Sequence, residues 1–447
     1  MAAKMHTSGT RRFLFLQGPH GPFFGQLARR LQDLGHHCQR IGINQGDRAF
    51  WPRRLPYTAF RAPLGTWPET LAAHLTRHAI TDLVVYSDAR AFHRDAIAVA
   101  RETGLRVHVF EEGYLRPYWI SYERDGANGN SALMQITRDQ IDAAAPTAQS
   151  PARRVPAVWG ALRQHIFYGA LYHFCVLALN HSYPAFRPHR SLGTAAELRL
   201  YLRLMAGLAP RRIERALAER RIARLAVPSH LVLLQLAHDA SFRDHGPFET
   251  AAEFIRTVLQ GFAEGAPPGH HLIFKTHPLE DGREPIARTI RTEAQALGLG
   301  GRVHVLHGGK LARLLDETLS VVTVNSTAAQ QALWRGLPVK AFGEAVYCKP
   351  GFVSDQPLAT FFAAPQAPDL PGYLRFREAL LTSSQVQGSF YAAAGRRQLL
   401  KTLPDRMLDP AGPYQHIVSE AVQARYIVAG DGHRGKSAPT PSLKVVQ

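Results

Sequence analysis

Two adjacent glutamates, Glu111 and Glu112, end an apolar run and are followed by Gly113 in the segment FEEGYLRP. A carboxylate at the end of a buried strand can act as a base toward an acceptor hydroxyl or as a nucleophile on an anomeric carbon. Because successive strand residues point to opposite faces, we expect only one of the two side chains to enter a cleft. Two solvated glutamates in a loop would give the same pattern, so this motif alone leaves the function open.

A histidine before a proline ends a second apolar run, where His277 and Pro278 follow a segment that also carries Lys275. Proline stops the strand ladder and fixes the turn, so His277 is expected at the end of its strand with Lys275 nearby. An imidazolium at this position could bind a phosphate or protonate a leaving group. A histidine packed in a loop is the structural alternative.

Asn325, Ser326 and Thr327 follow a third strand-like run and open a helical pattern. Hydroxyl groups and free backbone N–H groups at the start of a helix form a favourable site for an anion, so a phosphate could bind here. An ordinary helix cap explains Ser326 or Thr327 equally well. The residue types are compatible with phosphate binding but do not require it.

Further candidates lie in loops that follow predicted strands. Gln17 and Gly18 belong to the first strand–helix loop, which could handle an acceptor, and Arg116 lies just beyond the two glutamates. Gln235 and Glu344 follow later strands and are candidates for binding a donor. The first loop is not GxGxxG, so a dinucleotide is not expected. No DxD-type cluster indicates a metal, and we expect neither a metal nor another cofactor.

These residues must be positioned by strands and helices that alternate along the chain, which predicts parallel sheets covered by helices. In the first part, strands are predicted at 13–18, 36–44, 82–87 and 106–113, with helices at 23–35, 71–80 and 91–103. In the second part, strands are predicted at 230–236, 271–276, 302–307, 320–325 and 338–342, with helices at 250–264, 284–297, 311–318 and 327–336. Because open α/β sheets bind ligands beyond the carboxyl ends of their strands, two such sheets would face a central cleft.

The predicted organisation is therefore an N-terminal Rossmann-like domain at 1–145 and a C-terminal one at 228–425. A linker at 146–227 begins Pro- and Ser-rich and becomes basic, with eight arginines against three glutamates between residues 195 and 225. This stretch is either a solvated helical face or a basic patch that rests on anionic lipid. Residues 426–447 have the composition of a disordered tail.

The charge of the chain indicates anionic partners, because 53 Lys and Arg against 35 Asp and Glu give a net charge of +18. Three widely spaced cysteines argue against a zinc site or a disulfide scaffold and favour a reducing compartment. The longest apolar stretch, 167–179, is shorter than the ~20 residues that a spanning helix needs. We therefore predict a cytoplasmic protein, soluble or peripheral to a membrane. No DNA- or RNA-binding module is recognisable, so nucleic acid is not expected as a partner.

The order of these motifs resembles that of bacterial CMP-sugar transferases, which carry an acidic pair before Gly, then His-Pro, then a Ser/Thr pair. The segments FLFLQGPHGPFFGQLARRLQDLGH, INQGDRAFW, FEEGYLRP, FKTHP and VNSTAAQQAL resemble more closely the capsule polysaccharide synthesis family of KpsS- and KpsC-type proteins. The resemblance covers roughly residues 12–350. It implies a GT-B glycosyltransferase that transfers β-linked Kdo from CMP-β-Kdo, with retention, to a lysophosphatidylglycerol at the inner face of the cytoplasmic membrane.

The same resemblance implies roles for individual residues. Glu112 corresponds to the aspartate of a Glu-Asp-Gly triplet in KpsC-type members and would be the leading catalytic carboxylate. Glu111 corresponds to the acidic residue before it. His277 would contact the CMP phosphate, and Ser326 and Thr327 would hold the same phosphate. Because glutamate is one methylene longer than aspartate, the choice between nucleophile and base stays open. A KpsC-like enzyme and the capsule export machinery are the implied protein partners.

Two other functions stay open on the sequence alone. The donor could be CMP-sialic acid or another nucleotide sugar, because none of these motifs reads the sugar. Alternatively, the chain could be a non-catalytic capsule export or scaffold protein that binds an anionic polymer with its basic surface. Such a scaffold would not need its carboxylate, imidazole and hydroxyl groups to meet in one cleft, so the arrangement of these groups in space discriminates between the two classes.

Overall fold

The computed structural model describes residues 9–116, 118–144, 162–187, 216–218, 220, 222, 224, 227–236, 240–277, 280 and 284–418. The predicted tail at 426–447 and most of the predicted basic linker at 146–227 lie outside these residues. Within the described part of the chain, no helix is long and apolar enough to cross a membrane.

The first part of the chain forms a seven-stranded sheet in the order β12-β6-β5-β4-β1-β2-β3. Its five central and edge strands β5, β4, β1, β2 and β3 run parallel, as the strand–helix alternation predicted, whereas β6 and β12 run antiparallel to their neighbours. The strands are β1 Arg12–Phe15, β2 His37–Gly42, β3 Tyr57–Ala59, β4 Asp82–Tyr86, β5 Arg106–Glu112, β6 Trp119–Arg124 and β12 Gln385–Gln387.

The second part forms a five-stranded parallel sheet in the order β11-β10-β7-β8-β9. Its central strands are apolar and buried on both faces, which is typical of a parallel sheet covered by helices. The strands are β7 Ser229–Leu233, β8 His271–Thr276, β9 Val303–His307, β10 Ser320–Thr323 and β11 Val339–Ala341. The molecule is thus an α/β protein with two Rossmann-like units, as predicted.

Helices cover both sheets and connect the strands. In the first unit they are α1 Phe23–Asp33, α2 Gln45–Ala49, α3 Trp67–Arg77, α4 Ala91–Glu102, α5 Arg138–Ala143 and α6 Leu162–Ala178. In the second they are α7 Ala240–Asp244, α8 Ala251–Gly265, α9 Ile286–Ala296, α10 Leu311–Asp316, α11 Gln330–Leu333, α12 Leu358–Ala363 and α13 Leu370–Thr382. The last helix, α14 Ala393–Leu408, packs on the first unit. Amphipathic spacing explains the main ones; in α1, for example, Phe23, Leu27 and Leu31 share the buried face.

The predicted end of the second domain at residue 425 is wrong, because the chain returns to the first sheet well before it. Strand β12 pairs with β6, and α14 packs on the first sheet through Leu399, Leu403 and Met407. Three residues of strand and a helix with Pro404 inside it give too weak a local signal to reveal this return. The two units also share a continuous core, since Leu133 and Ile141 pack among residues of the second unit.

Polar bonds join the two units at the same place. The Lys349 ammonium, which is buried, donates to the backbone carbonyls of Leu133, Met134 and Ile136 at 2.8–3.2 Å. Arg138 in α5 makes an ion pair with Asp369 at the start of α13. These contacts fix the carboxyl edges of the two sheets against each other.

Candidate active site at the carboxyl edges of the two sheets

A small pocket lies where the two units meet. It is lined from the first unit by Tyr114, Asn128 and Gly129, and from the second by Ser241, Asn325, Thr327 and Glu344–Tyr347. Three predicted donor-site residues, Asn325, Thr327 and Glu344, therefore border one crevice, together with the tyrosine of the predicted FEEGYLRP segment. Gly129 permits the close approach of the two walls, because a Cβ there would lie 2.3 Å from the His245 ring.

A hydrogen bond across the crevice connects the acidic motif to the Ser/Thr motif. The buried Gln330 amide donates to the backbone carbonyl of Tyr114 at 3.1 Å, and Tyr373 in turn donates to the Gln330 carbonyl at 3.0 Å. The Tyr114 hydroxyl donates to the buried Glu123 carboxylate and accepts from the Asn128 N–H. The loop that follows Glu112 is thus held against the start of the helix that follows Thr327.

Glu111 lies at the end of β5, half-buried, with one carboxylate oxygen accepting from the Glu112 N–H at 3.0 Å. Burial is the main cause that raises the pKa of Glu111 to about 7, opposed by that hydrogen bond and reinforced by the negative charge of Glu112. A carboxyl group with a pKa near neutrality can exchange a proton at physiological pH, as a general acid or base must.

Glu112 lies beside Tyr86 on the neighbouring strand, whose hydroxyl donates to the Glu112 carboxylate at 3.3 Å. Its charge also acts on His165 in α6 and on Tyr391. The charge of Glu111 acts on Tyr86 and Tyr391 as well. Which of the two glutamates enters the cleft therefore stays a prediction. Gly113 is required by the chain itself, because a Cβ there would lie 2.1 Å from the Trp119 carbonyl oxygen.

Asn325 and Gln235 form a reciprocal pair of hydrogen bonds. The Gln235 amide donates to the Asn325 side-chain oxygen at 2.8 Å, and the Asn325 N–H donates to the Gln235 oxygen at 3.1 Å. The Asn325 side chain is buried and also donates to the Ser241 carbonyl at 2.7 Å. These bonds hold the strand end in place, so the two side chains position the crevice wall rather than offering unused groups to it.

Ser326 and Thr327 begin a shorter helix than predicted, because the segment 327–336 divides into a 3₁₀ turn at Thr327–Ala329 and α11. The Ser326 hydroxyl accepts from the Ala328 N–H at 3.3 Å and so caps the turn. The Ser326 carbonyl accepts from the Tyr347 hydroxyl at 2.9 Å. Ser326 thus acts as the cap that the sequence offered as the structural alternative, whereas Thr327 lines the pocket.

Lys275 and His277 lie at the end of β8, on the same edge of the second sheet. Lys275 is buried, and His277 is partly exposed just beyond the strand. Because β7 separates β8 from β10, His277 and Asn325 follow strands about 10 Å apart. Pro278 lies outside the described residues. In the part of the chain that the structure describes, neither Lys275, His277 nor Glu112 lines the small pocket itself.

The predicted acceptor loop lies at the carboxyl end of β1. The Gln17 amide is buried; it donates to the Tyr172 hydroxyl of α6 at 2.7 Å, and its oxygen accepts from Arg90. Gly18 is needed for packing, because a Cβ there would lie 2.6 Å from the Phe24 ring. Arg116 is exposed and bonds to the Gly113 carbonyl at 3.3 Å.

Sequence reasoning missed Tyr114 and Gln330, whose hydrogen bond connects the two walls of the crevice, and Glu123, which accepts from the Tyr114 hydroxyl. Burial is the main cause that raises the pKa of Glu123 to about 7, while hydrogen bonds from Ser131 and Tyr114 oppose this. The sequence could have indicated Tyr114, because it follows the acidic motif directly. Gln330 carries no such signal, because its partner Tyr114 is 216 residues away in sequence. Glu123 lies within strand β6, where no motif marks it. Among the described residues, no group of three or more His, Cys, Asp or Glu side chains could hold a metal ion.

Two Rossmann-like units whose carboxyl edges meet in one crevice define the GT-B architecture. The sequence matches the capsule polysaccharide biosynthesis protein family over residues 81–391. It is 30% identical over 382 residues to the capsule polysaccharide export protein KpsS of Escherichia coli, covering 85% of this chain and 97% of that relative. It is 31% identical over 385 residues to the capsule polysaccharide modification protein LipB of Neisseria meningitidis serogroup B, covering 85% and 91% respectively. The chain belongs to the capsule polysaccharide biosynthesis protein family, which confirms the predicted resemblance.

Solved structures are similar only in outline. The β-Kdo 2,7 transferase KpsC of Thermosulfurimonas dismutans has a TM-score of 0.40 and 12% identity, covering 82% of this chain and 89% of that one. A glycosyltransferase of Rickettsia africae has a TM-score of 0.34 and 10% identity, covering 96% and 100%. At such scores the similarity says nothing about the site, and the family assignment depends on the sequence matches.

Proposed function

We propose that this protein is a glycosyltransferase that moves Kdo from CMP-β-Kdo to a lysophosphatidylglycerol acceptor, with retention, and so starts the β-Kdo linker of a capsular polysaccharide. The first unit would bind the acceptor and the second the CMP-sugar. The protein would work in the cytoplasm at the inner face of the membrane, beside a KpsC-like enzyme and the capsule export machinery.

The observation that carries the proposal is the bond between Gln330 and Tyr114. It holds the loop after Glu111 and Glu112 against the start of the Ser326–Thr327 helix, although the two motifs are more than 200 residues apart. A scaffold that binds a polymer with its basic surface has no need to join the loop after the glutamates to the start of this helix. A transferase has that need, because its acceptor base and its donor phosphate must act on one anomeric carbon.

The chemistry is balanced by the groups at the site. As the bond from the anomeric carbon to the CMP phosphate breaks, that carbon bonds in one of two ways. It bonds to the Glu112 carboxylate, which the acceptor oxygen then displaces, or it bonds directly to the acceptor oxygen on the face that CMP leaves; both routes retain the configuration. The acceptor proton leaves to a carboxylate, for which Glu111 has a suitable pKa of about 7, while Glu112 is the leading nucleophile or base. CMP leaves as a phosphate monoester, which the His277 imidazole and the Thr327 hydroxyl would stabilise.

The donor suits the basic character of the chain. CMP-Kdo carries one phosphate and one carboxylate, so it requires cations and hydrogen-bond donors rather than a site for a pyrophosphate. The small pocket has a volume of only about 20 Å³, which is far less than a nucleotide occupies. The donor would therefore extend beyond it along the carboxyl edge of the second sheet, where His277 lies.

The test incubates purified protein with CMP-Kdo, generated in the reaction, and lysophosphatidylglycerol, and follows Kdo-lipid by mass spectrometry. A single Kdo added to the lipid is the expected product. Glu112→Gln should remove it, whereas Glu102→Gln, which makes the same change on the exposed end of α4, should not. If CMP-sialic acid is used instead of CMP-Kdo, the donor assignment is wrong; if no nucleotide sugar is consumed, the chain is a non-catalytic export or scaffold protein.

A further inference from the structure

Helix α6 packs on the protein with one face, and large apolar side chains follow its other face. Apolar side chains of a helix in a globular protein normally face the core. Five of those on α6 are exposed instead; Phe167 is 60% and Phe174 57% exposed, and the others are Ile166, Leu171 and Leu177. Residues at these spacings follow one another along a single face, because a helix turns 100° per residue. We call this the outer face of α6.

The opposite face of α6 is polar and packs on the candidate acceptor region. The Tyr172 hydroxyl accepts hydrogen bonds from Gln17 at 2.7 Å and from Asn44 at 2.8 Å, both buried at the ends of β1 and β2. The Tyr168 hydroxyl accepts from Arg396 at 3.3 Å. His165 lies against the Tyr391 ring, with ring centroids 3.9 Å apart, and feels the charge of Glu112.

The charge around α6 indicates what could cover its outer face. The sequence contains no Asp or Glu between Asp142 and Glu197, whereas it contains five arginines and four histidines. Arg163 at the start of α6 and Arg187 beyond its end are both exposed. An exposed apolar stripe bounded by cations and free of carboxylates matches an anionic lipid surface, because acyl chains take the stripe and headgroups take the cations.

The dimensions of α6 limit how it could lie in a membrane. Its 17 residues extend about 25 Å, which is short of the ~30 Å hydrocarbon core, and one side is occupied by the protein. It therefore cannot span a bilayer. Lying in the plane of the interface, it would bury only its outer face, which is the depth that such helices reach.

We propose that α6 lies in the interface of an anionic lipid bilayer, with its outer face among the acyl chains and its polar face bordering the acceptor site. This deepens the proposed function and rests on it for the acceptor: a lysophospholipid could pass from the bilayer to Glu112 without crossing water. The membrane contact itself does not depend on catalysis.

The test measures co-sedimentation of the full chain with vesicles of phosphatidylglycerol and phosphatidylcholine, compared with vesicles of phosphatidylcholine alone. We expect binding to the anionic vesicles and roughly tenfold weaker binding to the neutral ones. The double variant Phe167→Ser/Phe174→Ser should lose roughly tenfold or more of its binding to anionic vesicles. The matched control Leu64→Ser/Leu319→Ser, which changes two apolar residues of similar exposure elsewhere, should bind like the wild type.

Other occupants of the outer face would give different results. If the double variant binds vesicles like the wild type, or if the wild type binds none, the proposal is overturned. It is also overturned if light scattering shows that the variant breaks a dimer, or if its melting temperature falls steeply because the chain itself covers the face. Glu112→Gln should bind vesicles normally. Product formation on a short-chain, monomeric acceptor reports the proposed function separately, and the double variant should retain it.

Discussion

The two ends of the first sheet use buried charge in different ways. At the amino end, Asp82 accepts from Arg11 through two hydrogen bonds of 2.7 Å and from His108 at 2.8 Å. The other nitrogen of His108 bonds to the Tyr122 hydroxyl at 2.8 Å. Burial alone would raise the pKa of Asp82, but the bonds from His108, Arg11 and Thr81 lower it to about 2. This end is a closed ion cluster.

At the carboxyl end, the pKa of Glu111 is raised by burial and by the negative charges of Glu112 and Asp88. Glu111 and Glu112 are adjacent to each other, and burial raises the pKa of Glu111 to about 7. The comparison shows that depth in the sheet does not distinguish a structural carboxylate from a candidate catalytic one. What distinguishes them is the edge of the sheet they occupy and whether their partners stabilise the charged form.

The largest expected effect is a loss of activity, and it comes from a variant at the carboxyl end of the first sheet. Glu112→Gln should lower kcat on the order of 10³-fold, because the reacting carboxylate is lost while the shape is kept. CMP affinity and the melting temperature should change little. Turnover by the transfer assay and CMP binding by calorimetry measure the two quantities. Full activity in this variant would remove Glu112 from the chemistry.

The converse experiment is made at the amino end. Asp82→Asn leaves Arg11 and His108 without their buried anion, so it should lower the free energy of unfolding by about 3 kcal/mol. Because the folded-state pKa of about 2 is below the usual 3.8, this contribution is present above pH 4 and is lost as the pH falls toward 2. Denaturant unfolding at pH 7 and pH 3 measures the difference, which should shrink at the lower pH. A stable but inactive Asp82→Asn protein would contradict the division between the two ends.

The next effect is the dependence of the reaction rate on pH, which follows from the protonation of Glu111. If the ionised form of this group is required, a pKa of about 7 makes the rate at pH 6 about a tenth of that at pH 8. Rates measured with saturating donor and acceptor between pH 6 and pH 8 would show this rise. In Glu111→Gln the rate should no longer rise with pH over this range. A rate that is flat in the wild type would exclude Glu111 as the base.

The smallest expected effect concerns the second sheet. His277→Ala should weaken CMP binding by about fivefold, because one donor to the phosphate is lost while the crevice wall stays in place. Calorimetric titration with CMP measures this affinity. His245→Ala is not a suitable control, because His245 packs against Gly129 at the crevice. His78→Ala, at a partly exposed position just after α3 in the first unit, is a better one. Equal CMP affinity in the His277 variant would remove it from the donor site.

Much of the fold could be predicted because the central strands carry continuous apolar runs, as β4, β7 and β8 do. Strand β3 and strand β12 were missed because three residues make no periodic pattern. Strand β6 was missed because its antiparallel pairing with β5 breaks the strand–helix alternation from which the other strands were predicted.

The site was predictable in its motifs but not in its connections. Asn325, Thr327 and Glu344 were found because polar residues after apolar runs lie at the carboxyl edge of a sheet. Gln330 was not found, because its buried hydrogen bond to Tyr114 spans 216 residues and leaves no local pattern. That Gln235 serves to hold Asn325 is likewise visible only in three dimensions.

The return of the chain to the first sheet means that the two halves are not separable modules. Strand β12 covers the side of β6 that would otherwise expose unpaired N–H and C=O groups. A protein ending after Thr382 would keep every residue of the crevice yet present a bare sheet edge to its neighbours. We therefore expect such a protein to aggregate through strand pairing at β6. Strand β12 thus prevents self-association at this edge.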